Sequence, residues 1–297
     1  MRERTLGGLF VLVAAVGFGT LAIFGKLAER TGLARPTLLI LRFAIGAAIV
    51  WAVLAVRGEA KLLRGRLLVA MLGLGVVYGF LTISYFWGLS FLTAGLTGII
   101  FYTYPVHVVA LSALFLDDRL TLRLVVGLVL SLGGVVLVIG VGRVDPNLFG
   151  VALVLTAALG VAVYMVAGRA LTADTSPRLL VAHALLAAAG TLAVRWLVAG
   201  APLPRTSAHA GIALGIGLFG TAIPMLLLYE GLSRISANHA SVLGTAEPVA
   251  TVALGVLVLG ESLSPTTLVG GLLVLTGVLL VQLDPRDGTV DSVESPS

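Results

Sequence analysis

A carboxylate stands beside a proline in the middle of an apolar stretch, Glu247-Pro248 within 237–259. An ionisable group deep in a bilayer is expensive, so it faces a cavity or a partner. Glu247 falls about ten residues into its stretch, near the midplane by helix rise. Pro248 lacks an N–H and frees a backbone carbonyl. A carboxylate there can hold a cation, a substrate ammonium or a proton; the other reading is a neutral acid bracing the kink. Tyr102, Tyr104 and His107 stand at matching depth around Pro105 in 94–116. Tyrosine puts a hydroxyl on an apolar ring, which suits a mostly apolar pocket with few polar handles. His107 can relay protons near neutrality or pack as a hydrogen-bonded core residue; His183, His209 and His239 lie near stretch ends and read as interfacial. Arg42, six residues past Pro36, sits about 9 Å along a helix. It can attract a substrate carboxylate, reach the outer interface or pair with an acid. Tyr78 and Tyr164 are further cavity candidates, whereas Tyr85 and Trp87 read as an aromatic belt. Glu230 and Arg234, four apart, fit an ion pair.

These residues need a membrane fold to position them. Of 297 residues 59% are hydrophobic and only 11% charged, with mean hydropathy +1.11. A soluble domain carries roughly 25% charged residues, so soluble enzymes, nucleic-acid binders and disordered chains are excluded. Ten apolar stretches can span a bilayer: 6–26, 36–56, 67–88, 94–116, 121–140, 149–169, 179–199, 210–231, 237–259 and 264–283. The first is too long for a signal core and lacks a small-residue cleavage site, so it reads as a retained span. The tail 284–297 is polar and reads as disordered. With the N-terminus inside, inner loops carry twelve Lys and Arg against five outside. The positive-inside rule then puts both termini in the cytoplasm. Glycine, 37 residues, suits close helix packing, with Gly75…Gly79 and Gly211…Gly215 as small-residue pairs.

Laid on itself with Pro105 over Pro248, the chain matches without a gap. In that register Leu89-Ser90 falls on Leu232-Ser233, Pro105-Val106 on Pro248-Val249, Asp118…Thr121 on Glu261…Ser264, Gly127 on Gly270 and Gly134 on Gly277. Weaker agreements include Gly7 with Gly150, Gly17 with Gly160, Gly25 with Gly168 and Gly88 with Gly231. Five spans per half is an odd number, so the second half enters the membrane in the opposite sense. The expected fold is therefore an all-α membrane protein of ten helices in two inverted five-helix repeats, 1–143 and 144–283. Transporters use this architecture to alternate access to a midplane site.

Arg42-Phe43 and two repeat cores also resemble a known family. The second core, Ala240-Ser241-Val242-Leu243-Gly244-Thr245-Ala246-Glu247-Pro248-Val249 followed by Gly260-Glu261-Ser262-Leu263, carries most of the resemblance. Over essentially the whole chain the sequence is similar to the drug/metabolite transporter superfamily, in particular bacterial EamA-type proteins. It departs from them at Asp117-Asp118-Arg119-Leu120, where Gly-Glu-x-Leu is common, and at Tyr104-Pro105, where the second core has Glu-Pro. The resemblance implies an inner-membrane carrier of a small polar metabolite, often an amino-acid exporter. A channel-like facilitator on the same fold and a non-transporting scaffold or sensor are the alternatives. No zinc-protease, nucleophile-elbow or P-loop motif is present, so neither an enzyme nor an ATP-driven pump is expected. No cofactor is expected, and the partners are lipid and a small-molecule substrate.

Overall fold

In the computed structural model, residues 2–92, 94–116, 120–139, 147–260 and 265–283 are described. The expected boundary at 143/144, the turns at Asp118 and Glu261, and the tail 284–297 lie outside them. Within a bilayer the backbone must satisfy its own hydrogen bonds, and helices do this within one segment. In chain order the helices are α1 (Arg2–Thr31), α2 (Arg35–Val56), α3 (Gly65–Gly88), α4 (Ala94–Phe101), α5 (Tyr104–Phe115), α6 (Leu122–Ile139) and α7 (Leu148–Leu171). They continue with α8 (Pro177–Ala199), α9 (Ser207–Gly217), α10 (Ile223–Leu232), α11 (Ala237–Gly244), α12 (Ala246–Leu259) and α13 (Pro265–Gln282). Among the described residues seven segments are long and apolar enough to cross a membrane, three of them in the first half of the chain. The shorter apolar helices Tyr104–Phe115, Leu122–Leu137 and Leu268–Val281 complete ten transmembrane spans. Pairs α4/α5, α9/α10 and α11/α12 each make one span.

The face where α1 begins and α13 ends is termed near, its opposite far. Arg4 donates to the Val281 carbonyl and Arg123 to that of Leu283, tying the start of α1 and of α6 to the end of α13.

The two broken spans are in repeat register. Helices α4 and α11 start at the repeat mates Ala94 and Ala237 and end at the repeat mates Phe101 and Gly244. A proline ring clashes with the carbonyl four residues back. Those carbonyls belong to Phe101 and Gly244, four before Pro105 and Pro248, so each helix ends where its proline dictates. A third proline, Pro224, acts differently. One wide π-helical turn, Leu218–Ala222, precedes it and absorbs the missing hydrogen bond.

Close approaches repeat the same register. A Cβ on Gly88 would lie 2.5 Å from Val154 Cγ2 and 3.0 Å from the Gly150 carbonyl. One on Gly231 would lie 2.6 Å from Val11 Cγ2 and 2.9 Å from the Gly7 carbonyl. Val11 and Val154 are themselves repeat mates. So α3 crosses α7 at the far face as α10 crosses α1 at the near face. Likewise Gly127 abuts Gly277, and Gly134 abuts Gly270, where α6 lies along α13. Helices α2 and α8 pair with each other in the same mate-to-mate way. The inverted-repeat fold thus rests on glycines placed in matched pairs. Gly75 and Gly79 pack on α8 at Ala184 and Thr191, and Gly215 on Phe24, but nothing lies within 4 Å of Gly211.

Candidate functional site

Arg42 is buried, at 6% exposure, on a helix whose other mid-span residues are apolar. Its Nε donates to the Thr221 hydroxyl at 3.0 Å and a terminal nitrogen to the Tyr78 hydroxyl at 3.3 Å. Tyr78 and Thr221 are repeat mates, so the guanidinium spans two equivalent hydroxyls, one from each half. Thr221 lies in the wide turn and donates onward to the Ile216 carbonyl at 3.0 Å. The turn before Pro224 therefore presents a hydroxyl with one side free to accept from Arg42. The Arg42 guanidinium also sits 4.9 Å from the Phe43 ring centre, within cation–π range.

Glu247 opens α12 just past the break and is half-buried. Tyr102 and Arg42 lie within electrostatic reach of it. Tyr78, Tyr85 and Tyr104 also face it closely enough to feel its charge. An arginine and a carboxylate thus meet across hydroxyl-bearing rings where the halves join. One group can take a carboxylate, the other an ammonium or a proton.

Aromatic rings continue from this point toward the near face. Phe43 meets Tyr78 at 5.2 Å, Tyr78 stacks on Tyr164 at 4.5 Å, and Tyr164 meets Tyr229 edge-on at 5.4 Å. The Tyr229 hydroxyl donates to the Tyr164 carbonyl at 3.0 Å, and Tyr164 points its own hydroxyl at the Met225 sulfur. Toward the far face Tyr85 packs on Phe101 at 4.9 Å. Tyr104 turns to α11 and donates to the Ser241 carbonyl at 3.3 Å.

The structure therefore gathers Arg42, Tyr78, Tyr102, Tyr104 and Glu247, with Tyr164 stacked behind Tyr78. His107 behaves otherwise: its Nδ1 meets the Thr103 carbonyl of its own span at 3.1 Å, and it joins none of the described contacts of the cluster. Tyr85 is a correction. It faces inward against Phe101 rather than forming a belt, because depth along a span does not fix which face a side chain takes. Trp87, at 53% exposure, keeps an outer position. The three terminal histidines are also corrected, since all are buried. His209 caps α1 through the Thr31 carbonyl, and His183 meets the Leu179 carbonyl and the Leu63 N–H under Trp51. His239 pairs with Ser236 at the start of α11. An imidazole at a helix end satisfies orphan backbone groups, which draws it inward. Glu230 pairs with Arg234 as their spacing suggests, at 2.8 Å. Thr221 and Met225 escape a reading for ionisable groups, and Tyr229 is not among the tyrosines that the sequence marks as cavity candidates; the signal for Thr221 was its repeat register with Tyr78.

The sequence profile of the EamA-like transporter family matches residues 5–140 and again 148–283, with the two matches starting in the same repeat register. The chain belongs to the EamA-like transporter family. It is a multi-pass integral membrane protein of the drug/metabolite transporter superfamily. An uncharacterized transporter of Archaeoglobus fulgidus is 29% identical over 253 residues, 81% of this chain and 86% of the relative. The uncharacterized transporter YcbK of Bacillus subtilis is 27% identical over 290 residues, 91% and 90% of the two chains. A solved crystal structure superposes with a TM-score of 0.82 at 25% identity, covering 92% of this chain and 95% of that one.

Proposed function

We propose that this EamA-like transporter is a secondary transporter of the inner membrane that exports or exchanges a small polar metabolite by alternating access. Both termini are placed in the cytoplasm, so the near face is cytoplasmic. The observation that carries the reading is Arg42, held by one hydroxyl from each half, with Glu247 within electrostatic reach of it where the two inverted halves join. A zwitterion fits it best: Arg42 receives a carboxylate, Glu247 an ammonium, and Tyr78, Tyr102 and Tyr104 face the apolar part. This makes an amino acid the leading substrate class. The tightly packed near face supports alternating access over a continuous channel.

The test has two stages. A thermal-shift screen of metabolites on purified protein finds what binds, because a ligand stabilises the state it occupies. Flux of the hit into proteoliposomes, with and without a pH gradient, then separates coupled transport from facilitation. Saturable flux that the gradient accelerates supports the proposal. Flux indifferent to the gradient points to a uniporter, and binding without flux to a sensor.

A further inference from the structure

The two halves are repeats, but their contacts differ between the two faces. At the near face Gly168 of α7 lies against the Tyr229 ring, and Tyr229 is fully buried. Their repeat mates are Gly25 and Phe86; Gly25 meets nothing within 4 Å, and Phe86 is half-buried. Near-face helix α11 packs against α5, α6 and α7, and residues 237–243 are all buried. Its mate α4 has no comparable packing on α12, α13 or α1 among the described residues. Asn238 in α11 is fully buried with neither amide atom partnered among the described residues. The molecule is thus closed at the near face and looser at the far one.

Inverted repeats exchange conformations when access alternates, so each near-face contact specifies its far-face counterpart. The closing contact is the Tyr104 hydroxyl on the Ser241 carbonyl, in the space left by Gly244. The Ser241 carbonyl is available there because the Thr245 N–H bonds Val242 instead. On α4 the corresponding carbonyl, Gly98, still receives the Tyr102 N–H at 2.8 Å. In the repeat register Tyr104 becomes Glu247, Ser241 becomes Gly98 and Gly244 becomes Phe101. A large side chain facing glycine is replaced by a shorter one facing phenylalanine, so sizes are matched at both faces. Chemistry is not matched: a tyrosine hydroxyl donates, whereas a carboxylate only accepts.

Building on the alternating-access reading, we propose that closure of α4 at the far face requires a proton on Glu247, whose O–H then donates to the Gly98 carbonyl. The proton enters from water at the open far face and leaves to water at the open near face, and its loss frees α4 to withdraw. One proton is carried per full cycle, and no bond other than O–H forms or breaks. In the present state the Glu247 carboxyl lies within electrostatic reach of Arg42 on α2, Tyr78 and Tyr85 on α3, and Tyr102 and Tyr104 on the fourth span. On the elements packed against α12, α1 has no titratable side chain between Thr5 and Gly25 and α13 has none. Helix α6 has only Arg123 at its near end, and α11 only His239, bonded to Ser236. Loss of the charge releases Glu247 from Arg42 and supplies the missing donor in one event.

The chain has no cysteine, so spin labels can be placed freely. One pair goes at Arg30→Cys and Ser90→Cys on the far face. The other goes at the repeat mates, Ala173→Cys and Ser233→Cys, on the near face; all four positions are exposed. Acidification of the labelled full-length protein should shorten the far pair and lengthen the near pair by about 5 Å, one helical turn. Glu247→Gln carries an amide donor at every pH, and should hold the far pair short without a pH response. Tyr104→Phe removes the near-face donor and should lengthen the near pair at every pH. A Glu247→Gln protein that follows the parent's pH response overturns the proposal, as does a Tyr104→Phe protein that leaves the near pair unchanged. Distances that exchange on substrate addition but ignore pH overturn this inference alone. Distances fixed under both conditions, with flux intact, overturn the alternating-access reading itself.

Discussion

Arg42 uses separate nitrogens for Thr221 and Tyr78, a geometry that a planar guanidinium supports and a single ammonium does not. Arg42→Lys should keep the charge but give up one of the two bonds. Hydrogen bonds to charged groups are worth about 1.5–3 kcal/mol, so flux of the identified substrate should fall about tenfold or more. Thr221→Val removes the same bond from the other side, and its effect should not add to that of Arg42→Lys in a double variant. Full additivity in proteoliposome flux would mean that the two side chains act separately. Arg42 and Glu247 were legible in the sequence because a charge in an apolar run must be accommodated. Thr221 was not, because hydroxyls are common in such runs and its partner lies 179 residues away. For His107 the sequence left two readings, and the bond to Thr103 favours the packed one.

At the level of helices, the glycine crossings should dominate stability. Gly88→Ala and Gly231→Ala each force a methyl against a valine and a carbonyl of the opposing helix. Overpacking of this kind costs about 1–3 kcal/mol, and the two should cost alike because they are mates. Gly190→Ala, with open space around it, should be neutral or stabilising by up to about 1 kcal/mol in helix propensity. Thermal unfolding in detergent checks all three. The loops add an ion-pair chain on the near face: Arg178 bonds both Glu59 oxygens at about 3 Å and also approaches Glu230 at 3.4 Å. The hydrogen bond from Arg178 holds the Glu59 carboxyl below the usual carboxylate range. A depressed folded-state pKa gives stability that is complete above the ordinary value, about 4.3, and lost as pH falls through the lowered one. Glu59→Gln should therefore melt slightly earlier than the parent at neutral pH, the difference vanishing in acid. Span positions and the breaks at Pro105 and Pro248 were readable because apolar length and proline act locally. The wide turn before Pro224 was hidden, since the apolar run continues through it unchanged.

For the whole molecule, the repeat was legible in the register of Pro, Gly and loop acids, and the family match follows the same register. The conformational state was not legible: one sequence serves both faces, and only packing differences such as Gly168 against Gly25 distinguish them. The proposed cytoplasmic near face rests on the twelve-to-five distribution of basic residues. A reporter active only outside the cytoplasm, fused after residue 297, should therefore be silent; strong activity would reverse the orientation. The exchange of the two halves is tested most directly by joining Ala173→Cys to Ser233→Cys with a cleavable thiol cross-linker, the parent serving as a cysteine-free control. Reconstituted protein should lose flux on cross-linking and regain it on cleavage, because the near face must open in every cycle. Undiminished flux through the cross-linked protein would contradict alternating access.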